Sequence, residues 1–262
     1  GEREGEREGV DAPFITETFA GQDVLFTLYA YKVGLLSTNT TLTRADLIGH
    51  KMTVTLKQAR NQPRYFQGEI EALFRGPIND RGERRYDVVM MPSMSSLLRN
   101  QNSRIFQNNT FSDITSLLLT ESEKLEYSLN DIKQLLEPLI YSTQYNESDW
   151  HYICRLCEAL GIYFYFRVDK DKETLCFVDE ILSLPKTQED IVHLDHDPSH
   201  PYLSEFNPIK GLNLETIIGQ DFHPSKRDER IQSSAAVGAK SLSDTMASRG
   251  LTDFIFPGEF DN

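Results

Sequence analysis

The amino-acid sequence predicts an α+β chain that is mostly β, with an antiparallel barrel or strongly curled sheet followed by a helix-containing α+β region. Alternation of apolar and polar side chains indicates strands between Pro13 and Met91. A capped amphipathic helix, a glycine and an apolar strand follow one another between Gln144 and Phe166. Helix and strand patterns alternate irregularly along the 262 residues, which argues against a pure helical bundle or a solenoid.

Residues 13–103 are predicted to form the barrel. Apolar residues in Met52–Lys57 alternate with polar ones, the two-residue period of a half-buried strand. Arg64–Phe74 repeats the pattern and places two sets of side chains on opposite faces, Phe66, Ile70, Ala72 and Phe74 against Gln67, Glu69 and Glu71. Gly68 is expected to allow a bend or the approach of another backbone. Further strands are predicted at Val24–Val33 and Tyr86–Met91, with a polar hairpin loop at Gly76–Gly82. Such strands favour a barrel or curled sheet.

A short helix is predicted after the barrel. Thr110 and Asp113 form a capping pair, and four apolar residues follow at helical spacing: Phe111, Ile114, Leu117 and Leu118. Before this helix, Ser93–Leu98 fits a helical turn and Asn100–Ser103 fits a loop. After it, Leu125–Tyr141 stays open, because Asp131–Leu139 has helical spacing that Pro138 would interrupt.

The stretch Gln144–Phe166 predicts a helix, a tight stop and a buried strand. Asn146 fits a helix N-cap, and Asp149 follows it at capping-box distance. One face of the helix then collects five residues: Trp150, Ile153, Cys154, Cys157 and Leu160. Gly161 fits the left-handed position that ends a helix, and Ile162–Phe166 is β-branched and aromatic, as strands are.

The remaining residues carry weaker patterns. Val168–Glu173 is predicted as a charged hairpin turn and Thr174–Val178 as a returning strand. Ile181–Pro201 is loop-like and acidic, and Leu212–Ile218 shows a weak strand pattern. At the other end, residues 1–12 are predicted to be a solvated extension, because Gly1–Gly9 holds no apolar side chain to bury.

Several motifs resemble a known family. Arg104–Gln107 (RIFQ), Gln144–Asp149 (QYNESD) and Gly161–Phe166 (GIYFYF) occur in the order and spacing found in the N-terminal region of VgrG, the spike protein of type VI secretion systems. Related hub proteins of contractile phage tails share the pattern. The resemblance runs from about Val24 to Phe260 and is strongest between Arg104 and Phe166.

The resemblance implies a tail-tube or hub-like fold with a first β-barrel over residues 13–103, an α+β region over 104–200 and the start of a second barrel over 201–262, truncated before the rest of the family's chain. It implies a homotrimeric spike base that docks on the Hcp tube and carries effector proteins, without enzymatic activity. Such a protein is assembled in the bacterial cytoplasm and exported by the type VI apparatus without a signal peptide. A baseplate hub of a contractile phage is the alternative.

The composition and charge of the chain argue against nucleic-acid binding and membrane insertion. The net charge of -13 argues against a surface that neutralises nucleic-acid phosphates. No apolar run approaches the ~20 residues that span a bilayer, so membrane insertion is not predicted, and no charged-apolar leader precedes the first strand. Three cysteines (Cys154, Cys157 and Cys176) form no disulfide framework, which agrees with a reducing compartment. Cys154 and Cys157 could be half of a zinc site or a redox motif, but their place on the apolar helix face predicts buried thiols.

The residues most similar to a catalytic site are a histidine and aspartate cluster between His193 and His200. Three imidazoles and two carboxylates could bind a metal ion and support a metal-dependent hydrolase, a hypothesis of a different class: His193, Asp195, His196, Asp197 and His200. Their spacing matches no zinc motif, and Pro198 excludes one continuous helix.

Other polar and aromatic residues of the central stretch have structural explanations. Glu147 and Asp149 resemble a carboxylate pair, but acids are common at the first turn of a helix. Trp150 and Tyr163–Phe166 are expected to fill a core. The sequence contains no nucleophile elbow or P-loop; Ser233–Gly238 is small and flexible but lacks the phosphate-loop lysine. No catalytic, cofactor-binding or metal-binding residue is assigned.

Overall fold

The computed structural model describes residues 14–24, 26–57, 63–121, 125–170, 172–180, 182, 184–185 and 205–207, together with strands at 216–222, 230–236 and 252–255. They divide into two compact units. The first contains the described residues up to Pro185, and the second those from Glu205 onward. The elements confirm the predicted class, α+β and mostly β.

An antiparallel five-stranded sheet forms the first part of the first unit. Its strands, with a short helix before β3, are β1 (Phe14–Gln22), β2 (Ala30–Ser37), α1 (Arg44–Leu47), β3 (Lys51–Leu56), β4 (Arg64–Ile78) and β5 (Arg84–Met91). They lie in the order β1-β2-β5-β4-β3. The rings of Phe19 on β1 and Phe66 on β4 are 4.7 Å apart, although two strands separate β1 from β4. The sheet is therefore strongly curled, as predicted.

One face of this sheet carries its hydrophobic core. Tyr86, Val88 and Met90 alternate along β5 and are all buried, which confirms the predicted strand. Val54 at the centre of β3 is buried in the same core. The other members come from β1, β2 and β4 and from the β1–β2 and β2–β3 connections: Phe14, Tyr29, Tyr31, Val33, Leu35, Leu42, Leu47, Ile70 and Leu73.

β4 departs from simple alternation at a β-bulge. Its pairing with β5 shifts register between Ile70 and Ala72, and a shift of one residue exchanges the two faces of a strand. Leu73 is therefore buried at 8% exposure, whereas Phe74 is 69% exposed. The prediction that Ala72 and Phe74 share a face with Ile70 is wrong for this reason.

Gly68 permits a close approach between β4 and the end of β5. A Cβ atom at this position would lie 2.3 Å from the carbonyl oxygen of Met91, which confirms the predicted approach of another backbone. The neighbouring Gln67 and Glu69 are buried. Ser95 helps to cover Glu69, since its hydroxyl donates to Glu69 Oε1 at 3.2 Å.

The first two strands of the sheet and the loop between β4 and β5 differ from the predictions. Phe26 has a φ of 62°, a left-handed conformation that interrupts the strand predicted at Val24–Val33, so β2 starts only at Ala30. The sequence pattern also misses β1, whose residues are mostly exposed and alternate weakly. β4 continues to Ile78, and the loop predicted at Gly76–Gly82 shortens to a turn over residues 79–83.

Two further sheets and three helices complete the first unit. In chain order they are α2 (Ser95–Arg99), β6 (Gln101–Phe106), α3 (Phe111–Thr120), β7 (Glu126–Asp131), β8 (Ser142–Ser148), α4 (Asp149–Leu160), β9 (Tyr163–Asp169) and β10 (Lys172–Val178). β10 lies between β7, which is parallel to it, and β9, which is antiparallel. β6 and β8 form a separate antiparallel ribbon. A second hydrophobic core joins these elements, and its largest fully buried members are Met94, Leu97, Phe111, Ile114, Leu118, Leu119, Tyr152 and Phe177.

Helix α3 forms with its predicted cap. Thr110 Oγ1 accepts the N–H of Asp113 at 3.1 Å, and Asp113 Oδ2 accepts the N–H of Thr110 at 2.9 Å. Leu117, predicted on the apolar face, is 48% exposed, and Leu119 is buried in its place. The apolar face of α3 is thus rotated slightly from the predicted one.

One other prediction between the sheets is corrected, and the stretch left open at Leu125–Tyr141 is decided. Residues 101–103 belong to β6, so the loop predicted at Asn100–Ser103 does not form. No helix forms over Asp131–Leu139, because Asp131 ends β7 and Pro138 cannot supply a backbone donor. In contrast, the stop at Gly161 is confirmed, with φ 66°, and β9 and β10 pair as the predicted hairpin.

A buried carboxylate joins the five-stranded sheet to β10. Glu173 is 4% exposed, and its Oε1 accepts the hydroxyl of Tyr29 at 2.5 Å. The backbone N–H of Ser93 lies 3.3 Å from Oε2 of the same carboxylate. Tyr29 also packs edge-on against Phe166 of β9, with ring centroids 5.2 Å apart. We call Tyr29, Ser93 and Glu173 the sheet junction.

The second unit contains a three-stranded sheet of β11 (Thr216–Phe222), β12 (Arg230–Ala236) and β13 (Thr252–Ile255). β11 is central, antiparallel to β12 and parallel to β13. β11 overlaps the end of the strand predicted at Leu212–Ile218. Ser233 and Ser234 lie in β12 and not in a flexible loop. The second barrel over 201–262 stays a prediction.

Candidate interaction surface

The ribbon of β6 and β8 has one buried and one exposed face. Phe106 pairs with Ser142, and Ile105 pairs with Thr143. Phe106, Ser142 and Gln144 are buried, whereas Ile105 is 61% exposed. The two-residue period of a strand explains this division.

The buried face is fixed to helix α4. The ring of Phe106 stacks on Tyr152 with centroids 5.7 Å apart and an angle of 19° between the planes. The hydroxyls of Ser142 and Tyr152 form a buried hydrogen bond of 2.8 Å. Apolar packing and one satisfied polar pair therefore set the distance between the ribbon and α4.

A buried carboxylate at the start of α4 ties down both strands. Asp149 is 3% exposed, and its Oδ1 accepts from Asn102 Nδ2 at 3.0 Å and from Gln144 Nε2 at 2.8 Å. The helix N-terminus also favours negative charge at this position. We call Asn102, Gln144 and Asp149 the ribbon anchor.

The helix cap is not the predicted one. Ser148 is the N-cap, and its Oγ accepts the N–H of His151 at 3.1 Å. Asn146 lies in β8 with a φ of 47°, so the helix starts later than predicted. A serine hydroxyl three residues before a free helical N–H forms the same kind of cap as asparagine, and the two are hard to distinguish from sequence.

An open cleft of about 570 Å³ lies beside the ribbon. Arg155 crosses it, donating to the carbonyl of Thr143 at 2.8 Å and to Glu147 Oε1 at 2.7 Å. His151 Nδ1 lies 3.6 Å from Glu147 Oε2. The bond to Thr143 occupies a carbonyl on the edge of β8, and other residues that line the cleft are Leu98, Gln101, Tyr145, Asn146 and Ser148.

The exposed face of the ribbon is apolar and aromatic. Tyr145 is 79% exposed and Tyr141, immediately before β8, is 57% exposed. Each tyrosine lies two residues from Thr143, which pairs with Ile105. We call Ile105, Tyr141, Thr143 and Tyr145 the ribbon face. Exposed apolar groups held on a fixed backbone are typical of a contact surface.

The predicted carboxylate pair is structural. Asp149 is enclosed in the ribbon anchor, and Glu147, predicted in the first helical turn, lies in β8 and pairs with Arg155. Glu147 lines the open cleft, where Arg155 holds its carboxylate. The arrangement explains both acids by local folding.

Both cysteines and several aromatic residues of the central stretch pack in the second core. Cys157 and Cys176 are buried and Cys154 is half-buried, all as free thiols. Burial raises the pKa of Cys154 to about 12 and also raises the pKa values of Cys157 and Cys176. Trp150 meets Phe164 edge-on at 4.9 Å. Trp150, Phe164 and Phe166 confirm the core interpretation, whereas Tyr163 and Tyr165 are half-buried and lie outside both cores.

The histidine and aspartate cluster of the hydrolase hypothesis, His193 to His200, lies outside the described residues. Within the part of the chain that the structure describes, no group of three metal-ligating side chains is arranged to hold a metal ion. In the same part, no helix is long and apolar enough to cross a membrane.

Sequence reasoning missed the ribbon face. Arg104–Gln107 is too short to show a period, and Tyr141 falls in the stretch left open. Pairing Ile105 with the tyrosines requires knowing that β6 meets β8 across 35 intervening residues, from 107 to 141. The sequence signal that could indicate this face is Ile105, an apolar residue directly before Phe106, because neighbouring residues of a strand point to opposite faces.

The fold is that of tail proteins from phage-like assemblies. A solved Escherichia coli protein, c3393, has a TM-score of 0.63 at 24% identity over 70% of this chain and 50% of that chain. It is described as a component of the type VI secretion system with structural similarity to the T4 bacteriophage tail proteins gp27 and gp5. A prophage tail protein of Shewanella oneidensis has a TM-score of 0.58 at 12% identity and covers 97% of this chain and 73% of that chain.

The chain belongs to the phage tail baseplate hub (GPD) family, whose sequence model matches residues 22–262. Curated relatives include the type VI secretion system spike protein VgrG4b of Pseudomonas aeruginosa, 26% identical over 82% of this chain and 28% of that protein. The actin cross-linking toxin VgrG1 of Vibrio cholerae is 29% identical over 62% of this chain and 15% of its own length. The chain therefore spans about a quarter or less of these two relatives.

Proposed function

We propose that this chain is a structural hub at the base of a type VI secretion spike. The observation that carries the proposal is the family match over residues 22–262, together with spike proteins that align over most of the chain. Its partners are further copies of itself, in a homotrimer, the Hcp tube and effector proteins. The baseplate hub of a contractile phage is the alternative, because both groups share this fold.

The proposed role is mechanical and not catalytic. Two hydrophobic cores and two buried carboxylates connect the described elements of the first unit, which suits a part that transmits force. Several relatives are named spike proteins, and one is named a toxin. The toxin aligns with this chain over only 15% of its length, so its name assigns no reaction to these residues.

We further propose the division into a first barrel at 13–103, an α+β region at 104–200 and a second barrel starting at 201. In this scheme the protein assembles in the bacterial cytoplasm and leaves the cell through the type VI apparatus. Relatives named for that secretion system support the route.

The deciding experiment measures the solution mass of the complete gene product, alone and with purified Hcp. The proposal expects a trimer that binds an Hcp ring. A strictly monomeric protein that does not bind Hcp would overturn the proposal. Binding to a phage tail-tube protein instead would favour the phage alternative.

A separate measurement tests the hydrolase hypothesis. Metal analysis of purified protein, compared with His196→Ala, should detect no stoichiometric metal in either sample. Zinc or iron that is present in the parent and lost in the variant would support the enzyme.

A further inference from the structure

We infer that Arg75 and Arg84, near the tip of the β4–β5 hairpin, form a site for a carboxylate group on an acidic segment of a partner protein. We call these two residues the arginine pair. This contact lies beyond the proposed function and does not depend on it. Three features support the site: the convergence of the two side chains, the absence of an acidic partner among the described residues, and the open position.

Both guanidinium groups are directed to one backbone oxygen. Arg84 Nε and Arg75 Nη2 lie 2.9 and 3.2 Å from the carbonyl oxygen of Thr40, in the connection between β2 and α1. Arg84 Nη1 also donates to the carbonyl of Gly76 at 2.9 Å. The carbonyl just before Thr40 accepts the hydroxyl of Tyr86 at 2.7 Å, so this part of the connection is itself fixed. The backbone therefore holds two positive groups side by side before any partner binds.

In the part of the chain that the structure describes, the arginine pair donates hydrogen bonds only to backbone carbonyls. Five other arginines instead contact a carboxylate: Arg85, Arg99, Arg104, Arg155 and Arg167. Two like charges that share one oxygen repel each other, and each guanidinium keeps N–H donors that the carbonyls do not use. A carboxylate supplies two acceptor oxygens and a negative charge, which suits such a pair of donors.

The side chains around the hairpin tip leave a local positive surplus. The turn between the two strands adds two acids and one base to the arginine pair: Asp80, Arg81 and Glu83. Glu83 is directed across the turn, where it accepts the side-chain amide of Asn79 at 2.9 Å. The chain as a whole, with its net charge of -13, repels an acidic partner. A local attraction at the tip therefore determines where such a partner binds.

The open position favours a protein segment over a free anion. Arg75 is exposed and Arg84 is half-buried, so both guanidinium groups belong to the surface. An isolated ion pair at a surface adds little affinity, because both charges lose hydration when they meet. A carboxylate that is fixed on a protein adds to a wider contact and needs only this modest contribution.

Binding of an acidic peptide tests the inference. A fluorescent hexaglutamate peptide is titrated with the complete gene product at an ionic strength of ~0.05 M, where screening is weak, and fluorescence anisotropy measures the bound fraction. We expect Arg75→Gln and Arg84→Gln each to weaken binding about fivefold, because each removes one charge-assisted contact. Arg167→Gln is the matched control, since it removes the same charge from an arginine that already pairs with Asp169 at 3.5 Å. It should change binding less than about twofold.

Arg75→Gln carries the test if Arg84→Gln, whose side chain also attaches the connection at Thr40, destabilises the fold. Equal weakening by Arg167→Gln would show a general effect of charge and would overturn the site, as would a parent protein that does not bind the peptide. Displacement of the peptide by millimolar inorganic phosphate would overturn a protein segment as the ligand and indicate a free anion. None of these results depends on the proposed trimer or on Hcp, which the solution mass tests separately.

Discussion

Two buried carboxylates organise the first unit in different ways. Asp149 in the ribbon anchor receives two side-chain amide hydrogen bonds at the start of a helix. Glu173 in the sheet junction shares the single hydroxyl proton of Tyr29 with the carbonyl oxygen of Gln67, and it receives long contacts of 3.3 and 3.4 Å from the N–H of Ser93. The two carboxylates are buried almost equally, at 3% and 4% exposure, but hydrogen bonds compensate for their burial unequally.

The less complete compensation makes the sheet junction sensitive to pH. Burial raises the pKa of Glu173, and the bonds from Tyr29 and Ser93 and the charge of Lys51 only partly oppose it. We expect the contact between the two sheets to weaken as Glu173 ionises.

Asp149→Ala should have the largest effect on stability. Removal of the carboxylate leaves the half-buried amide of Asn102 and the buried amide of Gln144 without their shared acceptor, at a cost of about 3 kcal/mol in the free energy of unfolding. Urea denaturation at pH 7 measures this loss.

Asp113→Ala is the matched control, because Asp113 is also in the first turn of a helix but exposed. Loss of its capping contact should cost about 1 kcal/mol. Asp149→Asn, which keeps an acceptor oxygen, should fall between the two. Equal losses for Asp149→Ala and Asp113→Ala would show that the ribbon anchor adds nothing beyond an ordinary cap.

Tyr29→Phe should cost less, about 1 to 1.5 kcal/mol, because one buried hydroxyl donor is lost. The hydroxyl keeps its proton at all working pH values, since burial and then Glu173 raise its pKa. It stabilises the ionised form of Glu173 more than the protonated form, so the loss should be larger at pH 8 than at pH 4.

Tyr86→Phe supplies the comparison for this variant. Its hydroxyl donates to the carbonyl of Asn39 at 2.7 Å, where no carboxylate is involved. Denaturant midpoints of both variants at the two pH values should show a pH-dependent loss for Tyr29→Phe alone. The same pH dependence in both would mean that Glu173 is not its source.

Local sequence patterns predicted the elements that are defined by a helix cap or by alternating apolar and polar side chains within a few residues. Thr110 with Asp113, Gly161 and the strand at Tyr86–Met91 need only neighbours in the chain. These contacts follow from hydrogen bonding and side-chain periodicity within a few residues. The predicted N-cap of α4 is wrong by two residues, because Ser148 and Asn146 are both competent caps.

Features set by distant contacts could not be predicted. The bulge in β4 depends on its pairing with β5, and it exchanged the faces of Leu73 and Phe74. Glu173 appeared in sequence as part of a charged turn, yet Tyr29 and Ser93 enclose it from 144 and 80 residues away. Burial of a polar residue is decided by the tertiary fold.

The sign of the Glu173 effect follows from its raised pKa. A carboxyl that binds its proton more tightly in the folded state contributes stability that is full below the ordinary value of 4.5. That contribution is lost as the pH rises through the folded-state pKa. Neutral glutamine keeps an acceptor oxygen for Tyr29 and has no such loss.

Glu173→Gln should therefore stabilise the protein at pH 8, by about 1 kcal/mol, since it removes a buried charge and keeps the hydrogen bond. The gain should shrink as the pH falls towards 4.5, where the native carboxyl is itself protonated. Urea denaturation between pH 4 and pH 8 measures the difference, with the exposed Glu137→Gln as the control that should show no such trend. A Glu173→Gln protein less stable than the parent at pH 8 would mean that its charge is compensated as fully as that of Asp149, and the distinction between the two carboxylates would fail.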